Sequence, residues 1–209
     1  MELLVVRHAQ PQQVRTTHGP ADPALTAEGR QQSRALARWL TDRAERSPAR
    51  LFSSSMRRAR ETAQDTAEAC GLPVTVDERL AEFDLGATEY IPIELAGPAI
   101  HERVASAMQT GRWGTHIFDP DGFHDRVAAA FTDIVASTID DGPTVVFCHG
   151  GVINSWLSQV IGRPRGMFFE PRYTCVSRLR IDHVGSARLL SLNELPHAGL
   201  IAGEDVNVP

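Results

Sequence analysis

Two short apolar runs, far apart in the chain, each end on a histidine. Leu3-Leu4-Val5-Val6 leads into Arg7-His8, and Thr144-Val145-Val146-Phe147-Cys148 leads into His149-Gly150-Gly151. Each run is β-branched or aliphatic and too short for a helix, so each reads as a buried strand. Each then gives way to a polar or glycine-containing turn. Both histidines therefore fall at strand carboxyl ends, which is the edge where open α/β sheets bind ligands. Two histidines, one beside an arginine, are expected to meet in one pocket.

The rest of the chain alternates in the same manner. After the strand over 2–7, residues 9–24 are rich in Gln, Pro, Thr and Gly and read as loop. Thr26 is a good N-cap for a helix running to about Arg43, with Glu28 in its first turn and Ala35, Leu36, Trp39 and Leu40 on its apolar stripe. Arg50–Ser53 reads as a strand. Ser55 is placed to cap the next helix, whose stripe is Met56, Ala59, Ala63, Ala67 and Cys70 and which Gly71 and Pro73 end. Val74–Leu85 reads as extended pieces around a turn, and Pro92, Gly97 and Pro98 break up the middle. Helices are expected over 99–109, 125–138 and 152–161, with loop over 111–122. Residues 174–181 and 187–192 alternate as strands do. With no repeat, low-complexity tract or linker, a single α/β domain over 1–209 is the economical reading.

A formal net charge of −5, with arginine supplying the positive charge, argues against a general nucleic-acid binder. It leaves room for one local positive pocket. Cys70, Cys148 and Cys175 are too few and too dispersed for a disulfide framework or a zinc ribbon. No run approaches the roughly 20 apolar residues of a membrane span. The opening segment meets Arg7 at once, without the basic start or long apolar core of a signal peptide, so the reading expects a cytoplasmic protein.

Arginine clamps phosphate through paired donors and is always charged, while neutral histidine can act as base, metal ligand or nucleophile. Beside an arginine, the anion-binding roles gain and the metal roles lose. Ser53-Ser54-Ser55-Met56-Arg57-Arg58-Ala59-Arg60 sets arginines in a first helical turn, where free N–H groups also favour an anion. Periodicity does not choose between Arg57 and Arg58, and a solvated arginine face is the competing reading. Glu82, in Leu80-Ala81-Glu82-Phe83-Asp84-Leu85, is either a partly buried acid of raised pKa or a rim residue. His18, His101, His116, His124 and His183 read as surface or hydrogen-bonded loop residues. His116 and His124 flank an aspartate-rich loop, but in no trusted metal spacing. Arg15 and His18 are candidates to touch a substrate.

Together these pieces resemble the histidine phosphatase superfamily, the phosphoglycerate mutase-like enzymes. Arg7-His8-Ala9 is similar to the family's R-H-G, and Leu25-Thr26-Ala27-Glu28-Gly29-Arg30-Gln31-Gln32 to its L-T-x-x-G-x-x-Q. Arg58-Ala59-Arg60-Glu61-Thr62-Ala63 is similar to R-A-x-x-T-A, which selects Arg58. Glu82 with Gly86, His149-Gly150-Gly151-Val152-Ile153, and Asn193 with His197 complete the series in the family's order.

The resemblance implies a three-layer α/β/α fold with a mostly parallel central sheet. It implies a phosphoric monoester hydrolase of the histidine acid phosphatase type, acting on a small phosphorylated substrate with no metal and no cofactor. His8 would be the nucleophile, Arg7, Arg58, His149 and Gly150 would bind the phosphoryl group, and Glu82 would be the proton donor. No nucleic-acid or membrane partner is expected, and a homodimer is left open. The chain departs from the family at Ala9, in place of glycine, and at Val14, where many members have a phosphate-gripping asparagine. The family's Gly-Glu-Ser is not evident around Asp121-Gly122-Phe123. Two rivals stand beside the phosphatase: a phosphoglycerate-type mutase sharing the pocket, and a binding protein with a degenerate site.

Overall fold

The computed structural model describes residues 1–43, 47–92, 94, 99–137 and 142–201. In chain order the elements are β1 (Glu2–Arg7), β2 (Val14–Arg15), α1 (Ala27–Arg38), β3 (Arg50–Ser54), α2 (Arg57–Cys70), β4 (Val74–Asp77), β5 (Glu89–Tyr90) and α3 (Ala99–Thr110). Then come β6 (Arg112–Trp113), β7 (His116–Ile117), α4 (Pro120–Ser137), β8 (Thr144–Cys148), α5 (Gly150–Val160), β9 (Val176–Ile181), β10 (Ala187–Glu194) and α6 (Ala198–Ile201).

One six-stranded sheet runs β10-β9-β1-β8-β3-β4, and two short ribbons pair β2 with β5 and β6 with β7. β1, β8, β3 and β4 run parallel, and β9 alone is reversed, pairing antiparallel with β1 on one side and with β10 on the other. The alternation inside β1 explains the layers. Leu3 and Val5 point into a core with Val146, Phe131, Ile153 and Leu157, whereas Leu4 and Val6 point into a second core with Leu36, Leu40, Ala63 and Phe147. The first core lies under α4 and α5 and the second under α1 and α2. Burial on both faces is why the strands read as continuous apolar runs rather than alternating ones. Each such Leu or Val contributes about 1.5–3 kcal/mol through burial. The Phe131 and Trp156 rings stack at 4.0 Å and join α4 to α5.

The parallel register sets the site. Arg7 lies beside Cys148, and β3 runs next to β8, so the carboxyl ends of β1, β8 and β3 share one edge. Thr26 caps α1 by accepting the Gly29 N–H at 2.9 Å. A Cβ at Gly29 would overlap the Gln10 carbonyl oxygen, so only glycine lets α1 lie against the loop that follows His8. Gln32 accepts the Gln10 N–H at 3.0 Å. The L-T-x-x-G-x-x-Q segment is thus the seat of that loop.

Several expectations are corrected. Ser55 does not cap α2: Met56 precedes the helix without a side-chain cap, and Asp22 from the loop accepts the Arg57 N–H at 2.9 Å. The segment expected as loop over 111–122 holds the β6–β7 ribbon, and α4 starts at Pro120 instead of Asp125. Asp119 accepts the Asp121 N–H, and proline suits a first helical position because its missing N–H has no intrahelical partner there anyway. The helix expected to reach Arg43 does so, α-helical to Arg38 and π-helical over Trp39–Arg43. The breaks expected at Gly97 and Pro98, the His101 side chain and the helix end at Thr138 lie outside the described residues. Among those residues no helix is long and apolar enough to cross a membrane.

Candidate active site

Arg7, His8, Arg58, Glu82 and His149 are all buried, and they come together at the shared strand edge. The His8 and His149 rings lie 5.1 Å apart between centroids. Arg7, His8, Arg58, Glu82 and Gly150 line a pocket enclosing about 50 Å3. A larger groove of about 730 Å3, lined by Met1, Phe131, Trp156 and Ile181, lies at the opposite end of β1 and contains none of them.

His8 is held in one tautomer. Its Nδ1 is 2.8 Å from the Ala9 carbonyl oxygen, which can only accept, so Nδ1 carries the proton and Nε2 keeps its lone pair. Burial, then the Arg58 and Arg7 charges, hold its pKa well below the usual histidine range, which keeps the ring neutral. Next in the chain, the Ala9 N–H donates to Thr62 Oγ1, whose hydroxyl donates to the Arg58 carbonyl. The threonine of R-A-x-x-T-A therefore ties the backbone that follows His8 to α2. Ala9 is not among the residues of positive φ, so the alanine imposes no left-handed strain.

Both arginines are already partnered by acids that the sequence reading did not single out. Arg58 Nη2 donates to Asp84 at 2.8 Å, and its guanidinium lies 4.5 Å from the Tyr90 ring centroid. Burial works against its charge, but Asp84 and Tyr90 outweigh burial and raise the pKa. Arg7 Nη1 donates to Glu94 and to the Pro171 carbonyl, each at 2.5 Å, and the Tyr173 ring lies 4.2 Å away. Burial likewise opposes its charge and Glu94 leads the groups that raise it. Arg57, in contrast, is exposed and pairs with Glu61.

Glu82 is buried rather than on a rim. Its Oε2 accepts the Gly151 N–H at 2.7 Å and its Oε1 the Phe83 N–H at 3.0 Å. Burial, then the Asp84 charge, push its pKa up to about 7, against those hydrogen bonds and Arg58. His149 is oriented by Ser54, whose Oγ is 2.7 Å from Nε2. Ser54 Oγ also accepts the Met56 N–H. The arrangement that uses every donor has Oγ–H donating to Nε2, which places the proton of neutral His149 on Nδ1. Burial, then Arg58, keep this ring neutral as well.

Eight buried side-chain N and O atoms lack a hydrogen-bond partner among the described residues. Four of them, Arg7 Nε, Arg58 Nε, Arg58 Nη1 and His149 Nδ1, belong to residues beside His8: the two arginines line its pocket and the His149 ring lies 5.1 Å from its own. Native interiors seldom leave donors unpaired, and an anion is the kind of group whose oxygens could satisfy these. The α5 N-terminus at Gly150 adds its dipole to the same end of the pocket.

Other candidates lie elsewhere. Arg15 and His18 are exposed, Arg15 pairing with Glu89, and neither lines the pocket. Val14 pairs with Tyr90 across the β2–β5 ribbon and has no polar side-chain atom to offer a phosphate. His116 contacts the Phe83 carbonyl through Nε2. His124 is buried on α4 against Ser155, so it is not a loop residue.

The profile of the histidine phosphatase superfamily (branch 1) matches residues 3–194. A probable phosphoglycerate mutase of Yersinia enterocolitica is 28% identical over 211 residues, covering 99% of this chain and 96% of that protein. A mycobacterial glucosyl-3-phosphoglycerate phosphatase with inorganic phosphate superposes with a TM-score of 0.69 at 26% identity, covering 94% of this chain and 99% of that one. The phosphoserine phosphatase of Entamoeba histolytica, in complex with 3-phosphoglyceric acid, superposes at 0.71 with 20% identity, covering 94% and 98%, and bears on the fold alone. The chain belongs to the histidine phosphatase superfamily.

Proposed function

We propose that this protein hydrolyses a small phosphomonoester through a phosphohistidine on His8, without a metal ion. The observation that carries this reading is the set of four unpartnered buried donor atoms, on Arg7, Arg58 and His149, residues beside a histidine whose Nε2 lone pair is free. In the first step His8 Nε2 forms a bond to phosphorus and the ester P–O bond breaks. The leaving oxygen takes the Glu82 proton. In the second step the Glu82 carboxylate removes a proton from water, whose oxygen attacks phosphorus. The N–P bond then breaks, its electron pair returns to Nε2, and phosphate leaves. A pKa of about 7 suits a group that must give and then recover a proton near neutrality. Arg7, Arg58 and His149 match the charge that develops on the phosphoryl oxygens.

A phosphomutase would use the same first step, with a substrate hydroxyl in place of water in the second. The pocket lining favours water: among the described residues Arg7 and Arg58, both assigned to the phosphoryl group, are its only lysine or arginine side chains, and Phe83, Val104, Trp113 and Met167 offer no positive charge to a second substrate anion. The test is hydrolysis of an aryl phosphate in the presence of EDTA. Activity should persist in the wild type and vanish in His8→Ala. Loss of wild-type activity on adding EDTA would overturn the metal-free reading.

A further inference from the structure

Thr174 and Asn193 are the two non-glycine residues of positive φ among the described residues, at 55° and 59°. For a β-branched residue that conformation is a steric outlier, and such outliers gather where surrounding structure enforces them, often at functional sites. Both belong to one connected patch. The turn over 170–174 makes the contacts that place the catalytic pair. The Pro171 carbonyl accepts from Arg7 Nη1 at 2.5 Å, and the Tyr173 ring lies 4.2 Å from the Arg7 guanidinium. The Thr174 N–H donates to the Arg7 carbonyl at 3.1 Å, with the His8 carbonyl 3.4 Å away.

The C-terminal segment grips this turn at two points. Asn193 Oδ1 accepts the Arg172 N–H at 2.8 Å, and Nδ2 donates to the Glu170 carbonyl at 2.8 Å. The Asn193 carbonyl also accepts from Arg172 Nη2 at 2.8 Å. His197, fully buried, sets Nε2 2.9 Å from Thr174 Oγ1. That hydroxyl gives its own proton to the Tyr173 carbonyl at 2.7 Å, so His197 must be the donor. Burial lowers the His197 pKa to about 4, consistent with a neutral ring.

We propose that Asn193 and His197 are positioning residues, a clasp on the 170–174 turn that fixes Arg7 and His8 for in-line phosphoryl transfer. The residue types fit the task. One planar amide offers both an acceptor and donors, and asparagine tolerates a left-handed backbone. A threonine at 174 keeps the strained φ because its hydroxyl bridges His197 to the Tyr173 carbonyl, which glycine could not do. The kinetic arm of the test rests on the phosphatase reading above, while the binding arm does not.

The experiment compares Asn193→Gly, His197→Ala and His197→Gln with the wild type, reading aryl phosphate kinetics, inorganic phosphate binding by calorimetry, and Tm. Glycine accepts φ near 59° freely, so Asn193→Gly should fold. Displacements of about 1 Å at a reacting centre cost up to ~100-fold in rate, so kcat is expected to fall roughly 10- to 100-fold in Asn193→Gly and in His197→Ala. KM should change less, and phosphate affinity should weaken because Arg7 is no longer held. His197→Gln, which retains an N–H donor, should recover part of the loss. Folded Asn193→Gly and His197→Ala with kcat and phosphate affinity both within about twofold of the wild type would overturn the clasp. If those variants do not fold, Asn193→Asp carries the test: it keeps the acceptor for Arg172 and loses the donor to Glu170, and unchanged kcat and affinity there would overturn it equally. A wild type that binds phosphate but hydrolyses no ester would defeat the phosphatase reading alone, leaving the affinity arm to judge the clasp.

Discussion

The Glu82 carboxylate rests on the backbone of Gly151, Oε2 accepting its N–H at 2.7 Å, and a Cβ at position 151 would overlap Glu82 Oε1. The second glycine of His149-Gly150-Gly151 is therefore the floor under the acid. Gly151→Ala should displace Glu82 and slow the hydrolysis of alkyl phosphates by about 100-fold, since a placed general acid contributes about 10²–10⁴. A p-nitrophenyl ester, whose leaving oxygen needs little protonation, should lose far less. Steady-state rates on the two ester classes check this. Equal losses on both would mean that the glycine serves only the fold.

Glu82 also sets a pH dependence with a defined sign. Its pKa rises from 4.5 to about 7, burial leading and Asp84 second, so the folded state retains a proton that the unfolded state has released between those values. The resulting stability, on the order of 3 kcal/mol, is fully present below 4.5 and is lost as pH rises through about 7. Alkyl phosphate hydrolysis should decline over the same upper limb. Glu82→Gln should flatten both the Tm profile and the rate profile between about pH 5 and pH 8. A Glu82→Gln rate profile matching the wild type would assign the titration to another group.

Asp84 and Arg58 form a buried pair at 2.8 Å, with side chains 7% and 0% exposed. Asp84→Asn leaves the guanidinium without its counter-charge, and breaking such a pair typically costs about 3–5 kcal/mol. Inorganic phosphate can supply the missing charge. The variant should melt lower than the wild type and gain more Tm from added phosphate, a comparison that thermal scans with and without phosphate make directly. An equal phosphate shift in both proteins would separate Arg58 from phosphate binding.

Ala9 stands where the resembling family has glycine, yet the backbone there is not left-handed. Ala9→Gly should leave kcat within about twofold and cost roughly 0.5–1 kcal/mol of stability through the freer unfolded chain. A large gain in kcat would show that the methyl group hinders the pocket.

These residues mark what the sequence made legible. Arg7, His8 and His149 could be placed because each follows an unbroken apolar run, and a strand's end is a local signal. Arg58 could not be told from Arg57 by spacing, since adjacent helix positions differ only in which neighbour they meet. Asp84 decides it for Arg58, and Glu61 and solvent decide it for Arg57. Asp84 itself was within reach, lying two residues from Glu82 in an otherwise apolar turn. Glu94, Ser54 and Tyr173 were not, because their contacts with Arg7 and His149 join segments distant in sequence. The start of α4 was announced by Asp119-Pro120, a cap followed by a first-turn proline, and the apolar stripe that begins later obscured it. Two-residue strands such as β6 and β7 are too short for any periodicity to declare.

Hydrolysis by the route proposed above requires phosphorus to be carried on His8. Mixing the protein with an aryl phosphate and quenching into alkali within one turnover, then mapping the peptides by mass spectrometry, tests it most directly. A phosphoryl group is expected on the peptide bearing His8, labile to acid, absent from His8→Ala and longer-lived in Glu82→Gln. Undiminished hydrolysis by His8→Ala, or a phosphoryl group trapped on a different residue, would contradict that route.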